Sequence, residues 1–140
     1  MKSDLSHSKR TARNNMKSVI AAVGQEKRIE WSVRIKAHVT ALPEWKESQT
    51  VLAFLPMEGE VDTTGILEQA FSQKKTVAVP RMHPDHLEFH KILSVAGPWE
   101  HHTFGVREPP ETLPVVDPCS EASGQVLVIT PGLCFDCRGG

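Results

Sequence analysis

Long apolar runs are the first thing missing from these 140 residues. The longest, such as Val126 to Thr130 and Val51 to Pro56, fall far short of the roughly 20 residues a membrane helix needs, which argues against a bilayer span. A secretory leader is missing as well. Met1 to Asn15 is polar and basic with no apolar stretch behind it, so a cytoplasmic location is expected. Net charge is nearly absent, because 16 Lys and Arg stand against 17 Asp and Glu for a formal charge of -1. Bulk charge therefore gives no pull toward nucleic acid or an anionic membrane, and any anion site must be local. Cysteine is scarce: Cys119, Cys134 and Cys137 form an odd set, which argues against a disulfide framework and for reduced thiols. Internal repeats and low-complexity tracts are absent, and the length is that of one soluble domain spanning residues 1–140.

What is present is a change of texture along the chain. Ala12, Met16, Val19 or Ile20 and Val23 recur every three or four positions, predicting an amphipathic helix over Ser8 to Gly24. A second is predicted from Gln25 to Ala41, with Trp31, Ile35, Val39 and Leu42 on one face and Pro43 closing it. Short apolar runs follow at Thr50 to Leu55 and Thr76 to Val79, ending in Pro56 and Pro80 and typical of buried strands. Between them a helix starting at Asp62 or Thr63 carries Ile66, Leu67 and Phe71 inward. Strand, helix, strand predicts a parallel unit. Leu87 to Leu93 alternates as a third strand. His101 to Ser123, with four prolines, reads as an extended surface connection, and Gln125 to Thr130 is the last strand. The fold class is α/β: a three-layer domain with a mainly parallel central sheet flanked by helices and an N-terminal helical pair. It is expected to be incomplete at the C-terminus, because a central parallel strand needs covering helices and no residues follow to supply one.

Few residue groups have the spacing that chemistry requires. Lys9 and Arg13 stand four apart, so on a helix they share a face and can hold neighbouring phosphate oxygens; the bland alternative is a solvated basic face. Glu58, Glu60 and Asp62 follow the first strand, at the carboxyl edge where open α/β sheets bind ligands. Asp62 is the natural helix cap, which leaves Glu60 as the candidate to accept hydrogen bonds from a flat heterocycle. Phe104, beside Gly105 in the long connection, either stacks on an aromatic ligand or pins the loop. Cys134 and Cys137 form C-x-x-C, and His83 and His86 form H-x-x-H, so a four-ligand zinc site can be written down. Against it, Cys134 is flanked by Leu133 and Phe135, which suggests packing.

Together these pieces resemble the 5-formyltetrahydrofolate cyclo-ligase family in order and spacing along nearly the whole chain. Ser8-Lys9-Arg10-Thr11-Ala12-Arg13 is similar to that family's opening helix. Leu42-Pro43-Glu44-Trp45, Phe54-Leu55-Pro56 and Glu60-Val61-Asp62-Thr63 are similar to its first strand and substrate-binding segment. Lys75 to Arg81 resembles the next strand, Phe104-Gly105-Val106-Arg107-Glu108-Pro109 the loop bordering the pterin, and Pro131-Gly132-Leu133-Cys134-Phe135-Asp136 the segment before the nucleotide loop. Val19 and Ile20 stand where relatives often carry further arginines.

The resemblance implies ATP-dependent conversion of 5-formyltetrahydrofolate to 5,10-methenyltetrahydrofolate with release of ADP and phosphate, using Mg2+. It assigns ATP to Lys9, Arg10, Thr11, Ala12 and Arg13, and the folate to Leu55, Glu60 and Phe104, with no metal ligand in this chain. The expected partners are the folate substrate alone, without nucleic acid or membrane, in a monomer or weak homodimer. The family continues into R-L-G-x-G-x-G-Y-Y-D, whereas the sequence stops at Gly140, so a C-terminally truncated domain is expected. Two further readings stand beside this one: an inactive truncated remnant of the family, and a small zinc or thiol protein using Cys134 and Cys137.

Overall fold

The two short apolar runs pair as parallel strands, as their sequence pattern predicts. The computed structural model describes residues 2–102 and 105–139. Its elements run α1 (Lys2–Ala21), α2 (Gln25–Ala41), α3 (Pro43–Glu47), β1 (Thr50–Leu52), α4 (Thr64–Ser72), β2 (Thr76–Met82), β3 (Leu87–Ile92), β4 (Glu100–His101), β5 (Arg107–Glu108) and β6 (Val126–Val128). A four-stranded sheet has the order β3-β2-β1-β6, with β1 parallel to both β2 and β6 and with β3 antiparallel to β2. This is the expected α/β class with a mainly parallel sheet. No helix among the described residues is long and apolar enough to cross a membrane.

Opposite sides of each strand meet different neighbours. Val51, Ala53, Val77, Val79 and Ile92 face Trp45 of α3 and Ile66, Leu67 and Ala70 of α4 in one buried cluster. Thr50 points to the other face, where its hydroxyl donates to the Ser123 carbonyl at 2.7 Å and holds the Glu121–Ser123 turn against the sheet. Alongside β3, Lys91 N–H donates to Pro114 O at 2.8 Å and Val116 N–H to Phe89 O at 2.7 Å, so part of the long proline-rich connection serves as an edge strand.

Several boundaries depart from expectation for local reasons. α1 starts at Lys2, ahead of the expected Ser8. Pro43 opens α3 as well as closing α2, because a proline at the first helical position gives up only an N–H that would be unpaired anyway. β1 stops at Leu52 rather than Leu55, since the Phe54 carbonyl turns out of the ladder to accept from the Thr63 hydroxyl at 2.8 Å. β2 continues through Pro80 to Met82. On the edge that Pro80 shares with Ala78 and Met82, the β1 pairing ends where Ala53 N–H donates to Ala78 O, so the missing N–H of Pro80 costs no ladder bond. β6 lies at the edge of this sheet with Val128 53% exposed, rather than buried at its centre. On α2, Trp31, Ile35 and Leu42 are exposed while Val39 is half-buried and packs against the core cluster, so the predicted apolar face of this helix meets the core only near its C-terminal end.

Candidate active site

The chain leaving β1 crosses the carboxyl edge of the sheet as a loop tied at three points. Met57 N–H donates to Glu60 Oε2 at 2.8 Å, Asp62 N–H to Ser32 Oγ of α2 at 3.0 Å, and Thr63 Oγ1, fully buried, to Phe54 O. Gly59 sits at φ +87 against α1, where an added Cβ would meet Ile20 Cγ2 at 3.4 Å. A left-handed backbone touching a helix suits glycine and little else. Asp62 Oδ1 accepts from Thr64 N–H at 2.9 Å, an Asx-type turn one residue ahead of the N-cap of α4, which is Thr63 rather than Asp62.

This loop, the ends of α1 and α2, and the residues after β6 enclose a cavity of about 1000 Å³. Its walls are mainly apolar: Ile20, Trp31, Ile35, Phe54, Ile66, Ile129 and Leu133. Its charged lining is Lys17, Arg28, Glu58 and Glu60. A mostly apolar pocket with a few polar handles, at the carboxyl ends of parallel strands, is the setting in which such sheets bind flat organic ligands. Glu60 is half-buried with Oε2 engaged by Met57, and its Oε1 has no hydrogen-bond partner among the described residues.

The sequence-predicted site residues divide by place. Glu60 lines the cavity. Leu55 does not; it packs against the core cluster beneath the loop. Lys9, Arg10, Thr11, Ala12 and Arg13 lie on α1, all exposed and none in the cavity wall. Phe104 lies outside the described residues. Lys17 continues the spacing of Lys9 and Arg13 by one more helical turn and does line the cavity, so the basic stripe of α1 leads to its mouth. That signal was in the sequence. Arg28 was not foreseen: its guanidinium donates to Ile20 O at 2.9 Å across the α1–α2 turn, and its buried Nε has no partner. Ser32 was also missed, because a lone serine inside an amphipathic helix carries no spacing signal.

The four-ligand zinc arrangement does not form. All three cysteines are exposed and free, and Cys134 is not packed as its apolar neighbours suggested. Phe135, 62% exposed, instead lies over Gly132, where an added Cβ would come within 2.1 Å of the ring. The group among the described residues that could hold a metal is His83, Glu88 and His90, away from both cysteines and outside the cavity. With two imidazoles and one carboxylate it does not suit Mg2+, which prefers an all-oxygen shell.

Known proteins resemble this chain in sequence and in fold. The model of the 5-formyltetrahydrofolate cyclo-ligase family matches residues 5–140. A mouse 5-formyltetrahydrofolate cyclo-ligase is 26% identical over 140 residues, covering 94% of this chain and 66% of the relative. The Haemophilus influenzae protein of the same name is 26% identical over 108 residues, covering 75% of this chain and 56% of its own length. A solution structure of Aquifex aeolicus 5,10-methenyltetrahydrofolate synthetase superposes with a TM-score of 0.75 at 25% identity, covering 91% of this chain and 62% of that one. A Mycoplasma pneumoniae 5,10-methenyltetrahydrofolate synthetase, 16% identical with a TM-score of 0.53, shares the fold over 60% of this chain. The chain thus spans just under two thirds, or less, of the length of these relatives. With a family model matching from residue 5 to residue 140 and a fold shared over nine tenths of its length, the chain belongs to the 5-formyltetrahydrofolate cyclo-ligase family.

Proposed function

We propose that this chain serves the ATP-dependent conversion of 5-formyltetrahydrofolate to 5,10-methenyltetrahydrofolate, releasing ADP and phosphate. The observation that carries the reading is Glu60, presented with a free carboxylate oxygen in an apolar cavity at the carboxyl edge of the sheet, in a chain of this family. The formyl oxygen attacks the terminal phosphorus of ATP, and the bond to the ADP oxygen breaks. The neighbouring amine nitrogen then attacks the activated carbon, losing its proton as phosphate departs with the former formyl oxygen.

Such chemistry asks a protein mainly to position its reactants and to spread developing charge. Glu60 accepts hydrogen bonds from the pterin and fixes its orientation, while Phe54, Ile66 and Trp31 exclude water from its faces. Lys9, Arg13 and Lys17, at successive four-residue steps along α1, hold the phosphates at the mouth. None acts as a nucleophile.

Glu60→Gln retains the shape and one acceptor but removes the charge. It should weaken 5-formyltetrahydrofolate binding, followed by Trp31 fluorescence, by about 1 to 3 kcal/mol, the scale of a charged hydrogen bond. Binding of ATP should be unchanged, and Asp62→Asn, which keeps the side-chain oxygen that accepts from Thr64 N–H, should leave both ligands unaffected. An unchanged folate affinity in Glu60→Gln would remove the folate from this cavity.

A further inference from the structure

The turn joining β2 to β3 brings His83, Glu88 and His90 together on one face of the hairpin. Glu88 and His90 are two apart on β3 and therefore share a face, and His83 follows the end of β2 directly, its N–H donating to His86 O at 2.9 Å to close the turn. Glu88 Oε2 lies 3.5 Å from His83 Nε2 and 3.4 Å from His90 Nε2, and the three ligand atoms are all within 4.8 Å of one another. Neither Nε2 makes a hydrogen bond, although both atoms are shielded from water and His90 is only 1% exposed. Two shielded nitrogens converging on one carboxylate oxygen without hydrogen bonds are a cost to the fold unless something else occupies the point between them.

Their surroundings already orient them for that occupant. His90 Nδ1 lies 2.8 Å from Leu113 O, and since a carbonyl can only accept, Nδ1 carries the proton and a neutral His90 presents a lone pair at Nε2. The other oxygen of Glu88 accepts from His86 Nε2 at 3.1 Å, while His86 Nδ1 is held by Asp85 at 2.6 Å. With both nitrogens engaged and its ring stacked on His83 at 4.7 Å, His86 braces the group without being a ligand. In a tetrahedral site with bonds of roughly 2.0 to 2.1 Å, neighbouring ligand atoms stand about 3.3 to 3.4 Å apart, close to the two nitrogen–carboxylate distances seen. Two imidazoles and a carboxylate suit a borderline divalent ion better than calcium or magnesium.

We propose that His83, Glu88 and His90 bind one Zn2+ ion, leaving a coordination position open to solvent on the side where Glu88 is partly exposed. None of the three lines the folate cavity, so the site stands whether or not the folate reading holds. The test is calorimetric titration of the purified, tag-free chain with Zn2+, with metal analysis after dialysis and visible spectra after Co2+ substitution. One Zn2+ per chain is expected, with a Co2+ spectrum showing nitrogen and oxygen ligands in a site of low coordination number.

His83→Gln and Glu88→Gln, both at partly exposed positions, should each weaken Zn2+ by at least about 10-fold, a loss that even outer partners of a metal can cause. Far-UV circular dichroism should be unchanged in both variants, so the result does not depend on altering the buried His90. The double variant Cys134→Ser, Cys137→Ser should bind Zn2+ as before. Absence of bound Zn2+, undiminished binding in both hairpin variants, or loss of binding in the cysteine variant would each overturn the proposal.

Discussion

The cavity at the carboxyl edge and the β2–β3 hairpin lie toward the same edge of the sheet and are built in opposite ways. The cavity gathers residues from α1, α2, the loop after β1 and the segment after β6, from Lys17 to Phe135, and its walls are apolar. The hairpin group uses eight consecutive positions, 83 to 90, and every working atom in it is polar. A site assembled across the whole chain depends on the core that holds its walls in register. A site contained in one turn depends on the pairing of two strands. The two should therefore fail separately.

The sharpest way to break this contrast is Ile66→Ala. Ile66 is 1% exposed, belongs to the core cluster and also lines the cavity. Its truncation should cost about 2 to 5 kcal/mol in urea unfolding and lower folate affinity as the wall retreats. In the fraction that remains folded, Zn2+ affinity at the hairpin should not change; a parallel loss would show that the two regions are coupled.

A smaller effect is expected from Thr63→Val, which keeps the volume of a fully buried side chain and removes its donor to Phe54 O. A buried acceptor left without its partner costs about 1 to 3 kcal/mol. Because this bond pulls the chain out of the β1 ladder, folate affinity should drop with stability. Full stability in the variant would mean that the loop is held by its other two ties.

The smallest change in stability is expected from Lys9→Ala and Arg13→Ala, both exposed on α1 and outside the core cluster, where substitutions usually stay within about 0.5 kcal/mol. Their effect should fall on ATP, weakening it more than folate, with the difference shrinking at high salt. Equal loss of both ligands, or no loss, would return the pair to a solvated basic face.

Much of the frame could be read from local pattern. The bounds of α2, the parallel β1 and β2, the existence of β3 and the inward Ile66 and Leu67 all follow from periodicity and from the prolines that punctuate it, whereas the antiparallel direction of β3 came only from the structure. The start of α4 at Asp62 or Thr63 was legible because it depends on neighbours one or two residues away, although Thr63 takes the cap position and Asp62 the Asx-type turn before it. The place of Glu60 at the carboxyl edge was legible because the loop after a parallel strand opens there. What periodicity could not reveal was which apolar residues stay outside the core. Trp31 and Ile35 have the spacing of a core stripe and form the cavity wall instead, and Leu55, expected at the folate, packs under the loop. Histidine spacing misled in another way: H-x-x-H drew attention to His83 and His86, yet the fold of the hairpin brings the His83 side chain to Glu88 and His90 and leaves His86 beside them, stacked on His83.

By itself, the sequence determined the α/β class, the strand and helix succession, the family, and the residue types available to each site, because these depend on neighbours within a few positions. Only the tertiary structure decided that Glu60 and Lys17 reach a common cavity while Leu55 does not. It also decided that Arg28 bridges two helices and that two histidines converge on one carboxylate. Such meetings depend on how strands register and how helices sit on the sheet, and those are set by the packing of Trp45, Ile66 and Leu67 against Val51 and Val77, residues separated by up to 32 positions of chain.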